Sequence, residues 1–163
     1  MEGMDRFIII LYAALVAFFV YRLFKGQQNK GKLTGSVTGF SRKVSTLELV
    51  LFAVLLITGL VNLFFGIRGS NTTNAITAGV MVLLAIVFMI ASRNKLYIGE
   101  NGIVANSNFY TFKELKKWGF DTESGDLVLQ IKKDKQLSNE VLKVNKEDMD
   151  EINNLIRSYK LNK

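Results

Sequence analysis

Lys113, Lys116 and Lys117 stand among Phe109, Tyr110, Phe112, Trp118 and Phe120. Ammonium groups interleaved with large rings suit contact with an anionic lipid surface or a partner: the charges attract and the rings supply apolar area. The same rings also suit the core of a small domain. Both readings stand, and on the first Lys113, Lys116, Lys117 and Trp118 are the expected lipid- or partner-binding residues. Little else in the chain points to chemistry. Its 163 residues include no Cys and no His. That removes disulfides, thiolate and imidazole metal ligands, and nucleophiles activated by histidine. Carboxylates, lysines, tyrosines and hydroxyls remain, and no carboxylates pair as acid and base. Asp121, Glu123 and Asp126 lack the spacing of a calcium loop. The expectation is a non-enzymatic protein with no metal and no cofactor.

Two further motifs are look-alikes. Gly26 to Lys32 has the glycine and lysine spacing of a phosphate-binding loop, but Leu33 stands where that motif needs a hydroxyl for Mg²⁺. The preceding apolar run is also no β-strand. Asn71-Thr72-Thr73 matches a glycosylation sequon, but it lies so close to two apolar runs that chance accounts for it.

The elements that position these residues are dominated by apolar runs. Hydrophobic residues make up 49% of the chain, and the mean hydropathy is positive. Leu49–Phe65 and Ala75–Ser92 lie back to back around a short polar tip. Each is long enough to cross a hydrocarbon core of about 30 Å, which takes roughly 17–25 residues. Together they predict a transmembrane helical hairpin over 47–92. A third run, Phe7–Phe24, carries acidic residues at its start and no small-residue cleavage pattern, so 1–24 reads as a retained anchor. Within the hairpin, Thr58 and Asn62 lie four apart on one helix face. Ala75 and Gly79 form a small-xxx-small pair. All four are expected at helix-packing contacts, within the chain or between chains. Glu48 is expected in the first turn of its helix, with Ser45 or Thr46 as cap.

Between the first two runs, 25–46 holds Lys25, Lys30, Lys32, Arg42 and Lys43 and no acid until the hairpin begins. Short basic loops stay in the cytoplasm. The expected topology in the cell membrane is therefore multi-pass, with the N-terminus outside and the C-terminal part inside. The glycines of this loop predict a flexible tether. Its charges suit attraction to anionic lipid. It lacks the aromatic and base-reading groups that nucleic acid would require.

From 93 to 163 the pattern changes to short alternating segments. Strands are predicted at Lys95–Gly99, Gly102–Asn106, Phe109–Phe112, Leu115–Thr122, Leu127–Lys133 and Glu140–Val144, with a tight turn at Glu100-Asn101-Gly102. Asn145 suits a helix N-cap, and Met149, Ile152, Leu155, Ile156 and Tyr159 form an apolar stripe behind it. The predicted fold is three transmembrane helices followed by a small α+β domain, with antiparallel strands and one C-terminal helix.

A strand, Glu-Asn-Gly-Ile, a second strand, Phe112-Lys-Glu-Leu115, a Leu-Val-Leu strand and an acidic-start helix, in that order, resemble the bacterial pleckstrin-homology-like domains. These often follow membrane helices in small bacterial proteins. Where that family commonly has Trp, this chain has Phe112, and its single Trp is Trp118. The segment is also short for the full seven-stranded version. The resemblance implies a fold and a membrane association, and no reaction.

Two function classes follow. In the first, the domain binds a protein partner or the inner leaflet while the helices anchor or assemble the protein, with membrane lipids, another membrane protein or a second copy as partners. In the second, the chain is an accessory subunit of a transport or secretion complex, touching a larger partner through Thr58, Asn62 and Glu48.

Overall fold

The computed structural model describes residues 2–93 and 95–161. Its elements are α1 (Glu2–Lys30), β1 (Thr38–Phe40), α2 (Thr46–Arg68), α3 (Thr72–Ser92), β2 (Leu96–Gly99), β3 (Gly102–Ala105), β4 (Asn108–Thr111), β5 (Leu115–Phe120), β6 (Leu127–Lys133), β7 (Gln136–Leu142), a 3₁₀ turn at Lys146–Asp148 and α4 (Met149–Leu161). Two compact units result. One joins the chain up to Arg22 with Val44–Ser92, and the other joins Leu23–Lys43 with the chain from Arg93 onward.

The first unit is helical. Its three helices are long and apolar enough to cross a bilayer, and they make this a membrane protein. The hairpin is specified locally. Ser45 and Glu48 form a capping box: the Glu48 N–H donates to Ser45 Oγ at 3.2 Å and the Ser45 N–H to Glu48 Oε2 at 2.9 Å. Two of the four donors a helix start leaves unpaired are thereby satisfied. At the tip, the Gly69 N–H closes on Phe65 O at 2.9 Å and the Asn71 N–H on Gly66 O at 3.0 Å. Asn71 Oδ1 then caps α3 by accepting from the Asn74 N–H at 3.1 Å, so the sequon asparagine already has a structural role.

The α2–α3 seam runs on a seven-residue repeat. Phe52, Gly59 and Gly66 are buried on α2, as are Ala78, Ala85 and Ser92 on α3. That period keeps one stripe of each helix turned to its neighbour. Small residues let the backbones close in, which matters because lipid offers no hydrophobic drive between helices. A Cβ added at Gly66 would lie 2.8 Å from the Ala75 backbone nitrogen, and one at Gly59 2.8 Å from Val82 Cγ2. Aromatic edges tie in α1, with Phe19 to Phe88 at 4.6 Å and Phe52 to Phe88 at 5.2 Å between centroids.

The second unit holds two antiparallel sheets, ordered β1-β2-β3-β4 and β5-β6-β7, with α4 packed on their shared core. Ile152 and Ile156 on α4 are fully buried, each contributing about 1.5–3 kcal/mol by leaving water. Met149, Leu155 and Tyr159 pack around them as the periodicity predicts. Asn145 sits at the cap position but makes no side-chain cap bond. Its amide donates to Asp148 Oδ2 at 3.3 Å.

The flexible-tether expectation for the basic loop is overturned. Its first residues continue α1 to Lys30, and Thr38–Phe40 is a strand paired with β2 in register Phe40↔Leu96. Asn29 Nδ2 donates to Ser107 O at 2.8 Å, and Lys30 lies over the Tyr97 ring at 4.6 Å. The loop also grips the β2–β3 turn. Asn101 Oδ1 accepts from the Thr34 N–H at 2.9 Å while its amide donates to Lys32 O at 2.9 Å. Glu100 Oε1 accepts from the Ser36 N–H at 3.1 Å beside Gly35, whose φ of +74° suits a residue without Cβ. Thus the phosphate-loop look-alike, Gly26 to Lys32, is mostly the end of α1, and its Lys32 carbonyl is held by the Asn101 amide. Further on, Arg42 bridges Val144, and the Lys43 N–H donates to Lys143 O at 3.2 Å. β7 is also Gln136–Leu142 and not Glu140–Val144, because the chain turns at Asp134-Lys135 and then pairs along the whole of β6, Lys133↔Gln136 to Leu127↔Leu142.

Candidate functional site

The aromatic–basic stretch spans β4, a turn and β5. The turn closes through the Glu114 N–H to Thr111 O at 3.0 Å, and Glu114 Oε2 accepts from the Thr111 N–H at 2.7 Å. β5 then pairs with β6 through an irregularity: Leu115 opposes Ile131, but Lys117 opposes Gln130. Strict alternation would put Leu115 and Lys117 on one face. The bulge adds a residue there and resets the alternation. Leu115 is fully buried, Lys116 and Lys117 are both exposed, and Trp118 and Phe120 turn back against the core.

The rings are accordingly structural. Tyr110 and Phe112 are buried. Trp118 is half-buried, and its Nε1 donates to Asn153 Oδ1 on α4 at 3.0 Å. Trp118 is therefore held by the domain, with part of its ring left exposed. Lys113, Lys116 and Lys117 are exposed, with Lys116 Nζ donating back to Lys113 O at 3.2 Å. From α4, Lys160 Nζ donates to Phe112 O at 3.1 Å and also to Leu115 O. Burial, and then the neighbouring Lys116 charge, lower the Lys160 ammonium below its ordinary range. Lys160 so fastens the turn that carries the other lysines.

One buried polar contact invites a catalytic reading. The Tyr110 hydroxyl donates to Glu140 Oε1 at 2.6 Å, and Asn106 Nδ2 donates to Glu140 Oε2 at 2.9 Å. Burial, then the Glu140 carboxylate, raise the Tyr110 phenol above its ordinary value. That favours the neutral phenol, the reverse of an activated base. The pair latches one sheet to the other. Among the described residues, no cluster of acidic side chains could hold a metal ion.

In the helical unit, the Ala75 backbone lies against Gly66 in the seam. Gly79 does not, because an added Cβ there would meet nothing within 4 Å. Thr58 and Asn62 are exposed on α2, so the seam runs through Gly59 and Gly66 and not through this polar pair. Glu48 serves its cap. What the sequence reading missed was the glycine spacing of seven, a helix-packing signal visible in the chain.

Residues 94–161 match a family model described as a domain of unknown function (DUF5673). The match begins after the hairpin, so β1 and its basic flanks lie outside it. No curated protein matches the chain.

Proposed function

We propose that this is a non-enzymatic multi-pass protein of the cell membrane whose C-terminal domain contacts the anionic inner leaflet through Lys113, Lys116 and Lys117. The observation that carries this reading is the β5 bulge with its Lys160 fastening. Together they turn the rings inward and present three ammonium groups, Lys116 and Lys117 on the edge strand β5 and Lys113 in the turn before it. Near an anionic surface each is worth about 1 kcal/mol. The contact is electrostatic, with no aromatic insertion.

Two features support the orientation. β1 precedes α2 and pairs with β2, which follows α3, so both lie on one side and α2–α3 goes out and back. That side carries Lys25, Lys30, Lys32, Arg42, Lys43, Arg93 and Lys95, against Arg68 at the far tip. By the positive-inside tendency it is cytoplasmic, with the N-terminus outside. Sheets of four and three strands closed by one helix also support the pleckstrin-homology-like reading, because β1 supplies the seventh strand.

The test uses the full chain in nanodiscs containing brominated lipid, with Trp118, the single tryptophan, as reporter. Quenching should rise with the anionic lipid fraction. It should fall as salt rises from 0.1 M to 1 M, where the screening length drops from about 10 to 3 Å. Replacing the three lysines by Gln should weaken the contact roughly 100-fold, from about 3 kcal/mol in all. Quenching indifferent to lipid charge, salt and the lysines refutes leaflet contact and redirects the surface to a protein partner.

A further inference from the structure

Asn62 is a carboxamide at membrane depth with no hydrogen-bond partner among the described residues. α2 has 23 residues, about 34 Å of helix against a hydrocarbon core of about 30 Å. Six residues, about 9 Å of rise, separate Asn62 from Arg68, so the short side chain stays within the hydrocarbon. It is exposed, as is Thr58 one turn earlier. Among the described residues no other helix offers the Asn62 amide a hydrogen bond. In the bilayer core no water replaces that partner.

We propose that the Thr58–Asn62 face of α2 is the contact of a homodimer, with Asn62 paired to Asn62 of a second copy. The occupant follows from the chemistry of the group. A carboxamide offers both a donor and an acceptor, so two of them satisfy each other. Copies inserted in the same direction carry Asn62 at the same depth, and a two-fold axis along the membrane normal sets like residue against like. Thr58 adds a small hydroxyl one turn away, which allows close approach. The face borders the α3 seam without being covered by it: at about 100° per residue Gly66 and Gly59 lie some 40° and 60° round the helix from Asn62 on one side, Thr58 and Phe65 some 40° and 60° on the other, and Asn62 itself stays exposed. The proposal requires α2 to span the bilayer and is independent of what the C-terminal domain binds.

The test uses the full chain in liposomes, labelled for energy transfer and diluted across protein-to-lipid ratios. Asn62→Leu should weaken association roughly 3- to 30-fold, the range of a single interhelical hydrogen bond in membranes, while Asn62→Gln should retain most of it. The variant replaces an exposed residue by an apolar one, so the fold is kept. The chain has no native cysteine, so Phe65→Cys, 65% exposed beside this face, should cross-link readily. Leu60→Cys, 49% exposed but about 200° round the helix from Asn62, should not. Equal association of Asn62→Leu, equal cross-linking at both positions, or a monomer at every dilution overturns the proposal. The last result would leave Asn62 for a different membrane protein.

Discussion

Truncating Phe40 tests whether the basic segment belongs to the C-terminal domain. Phe40 is 5% exposed and sits in the same core as Leu96, Ile98 and Ile152. A buried Phe cut to Ala costs about 3–5 kcal/mol, from lost transfer energy and the cavity left behind. The folded unit has about 90 residues, for which a total stability of about 5–13 kcal/mol is ordinary. The loss thus takes between a quarter and nearly all of it. With a urea slope of about 1.5 kcal/mol per M, the midpoint should fall by roughly 2–3 M. Trp118 is the assay, since its ring packs on the core and bonds Asn153. Urea unfolding of the full chain in micelles follows this unit through its only tryptophan. Val37→Ala, at a residue 40% exposed beside the strand, should change stability by less than about 0.5 kcal/mol, a midpoint shift of under about 0.3 M. A Phe40→Ala midpoint that matches the Val37→Ala midpoint would mean that β1 contributes nothing to the core, and the reasoning fails.

The hairpin seam predicts that Gly66→Ala, whose Cβ would meet the Ala75 backbone at 2.8 Å, destabilises α2–α3 by about 1–3 kcal/mol. Gly79→Ala meets open space and should be neutral or gain up to about 1 kcal/mol of helix propensity; forced dissociation of the hairpin in bicelles distinguishes the two, and equal effects would contradict the seam. The Tyr110–Glu140 latch predicts an alkaline dependence. The unfolded phenol ionises near pH 10, while the folded one, raised by burial and Glu140, holds its proton to higher pH. Between those values the unfolded state binds fewer protons than the folded one. Stability is therefore full below about pH 10 and falls as pH rises beyond it, by up to about 1.4 kcal/mol per pH unit. Tyr110→Phe should cost about 1.5–3 kcal/mol at pH 9. Its gap from the native chain should narrow by pH 11 in urea unfolding, and a constant gap would show that the phenol titrates normally.

What the chain determined by itself is what a dozen consecutive residues can specify. The three apolar helices, the Ser45–Glu48 capping box, the Glu100-Asn101 turn and the Ile152–Ile156 stripe rest on periodicity, capping and turn chemistry, and all were legible. β1 was not. Thr38-Gly39-Phe40 has no strand pattern of its own and becomes a strand because β2, some sixty residues later, offers it a hydrogen-bonding edge. The split of the aromatic–basic stretch into buried rings and exposed lysines was also undecided, since it turns on a one-residue bulge set by pairing with β6. The role of Thr58 and Asn62 was equally open. Their four-residue spacing puts them on one helix face, but only the packing of Gly59 and Gly66 against α3 decides that the covered stripe passes beside them and leaves both exposed. Local free energies of about 1 kcal/mol start and stop elements. Which elements meet depends on long-range pairing and close contact, and those terms do not exist until the chain has folded.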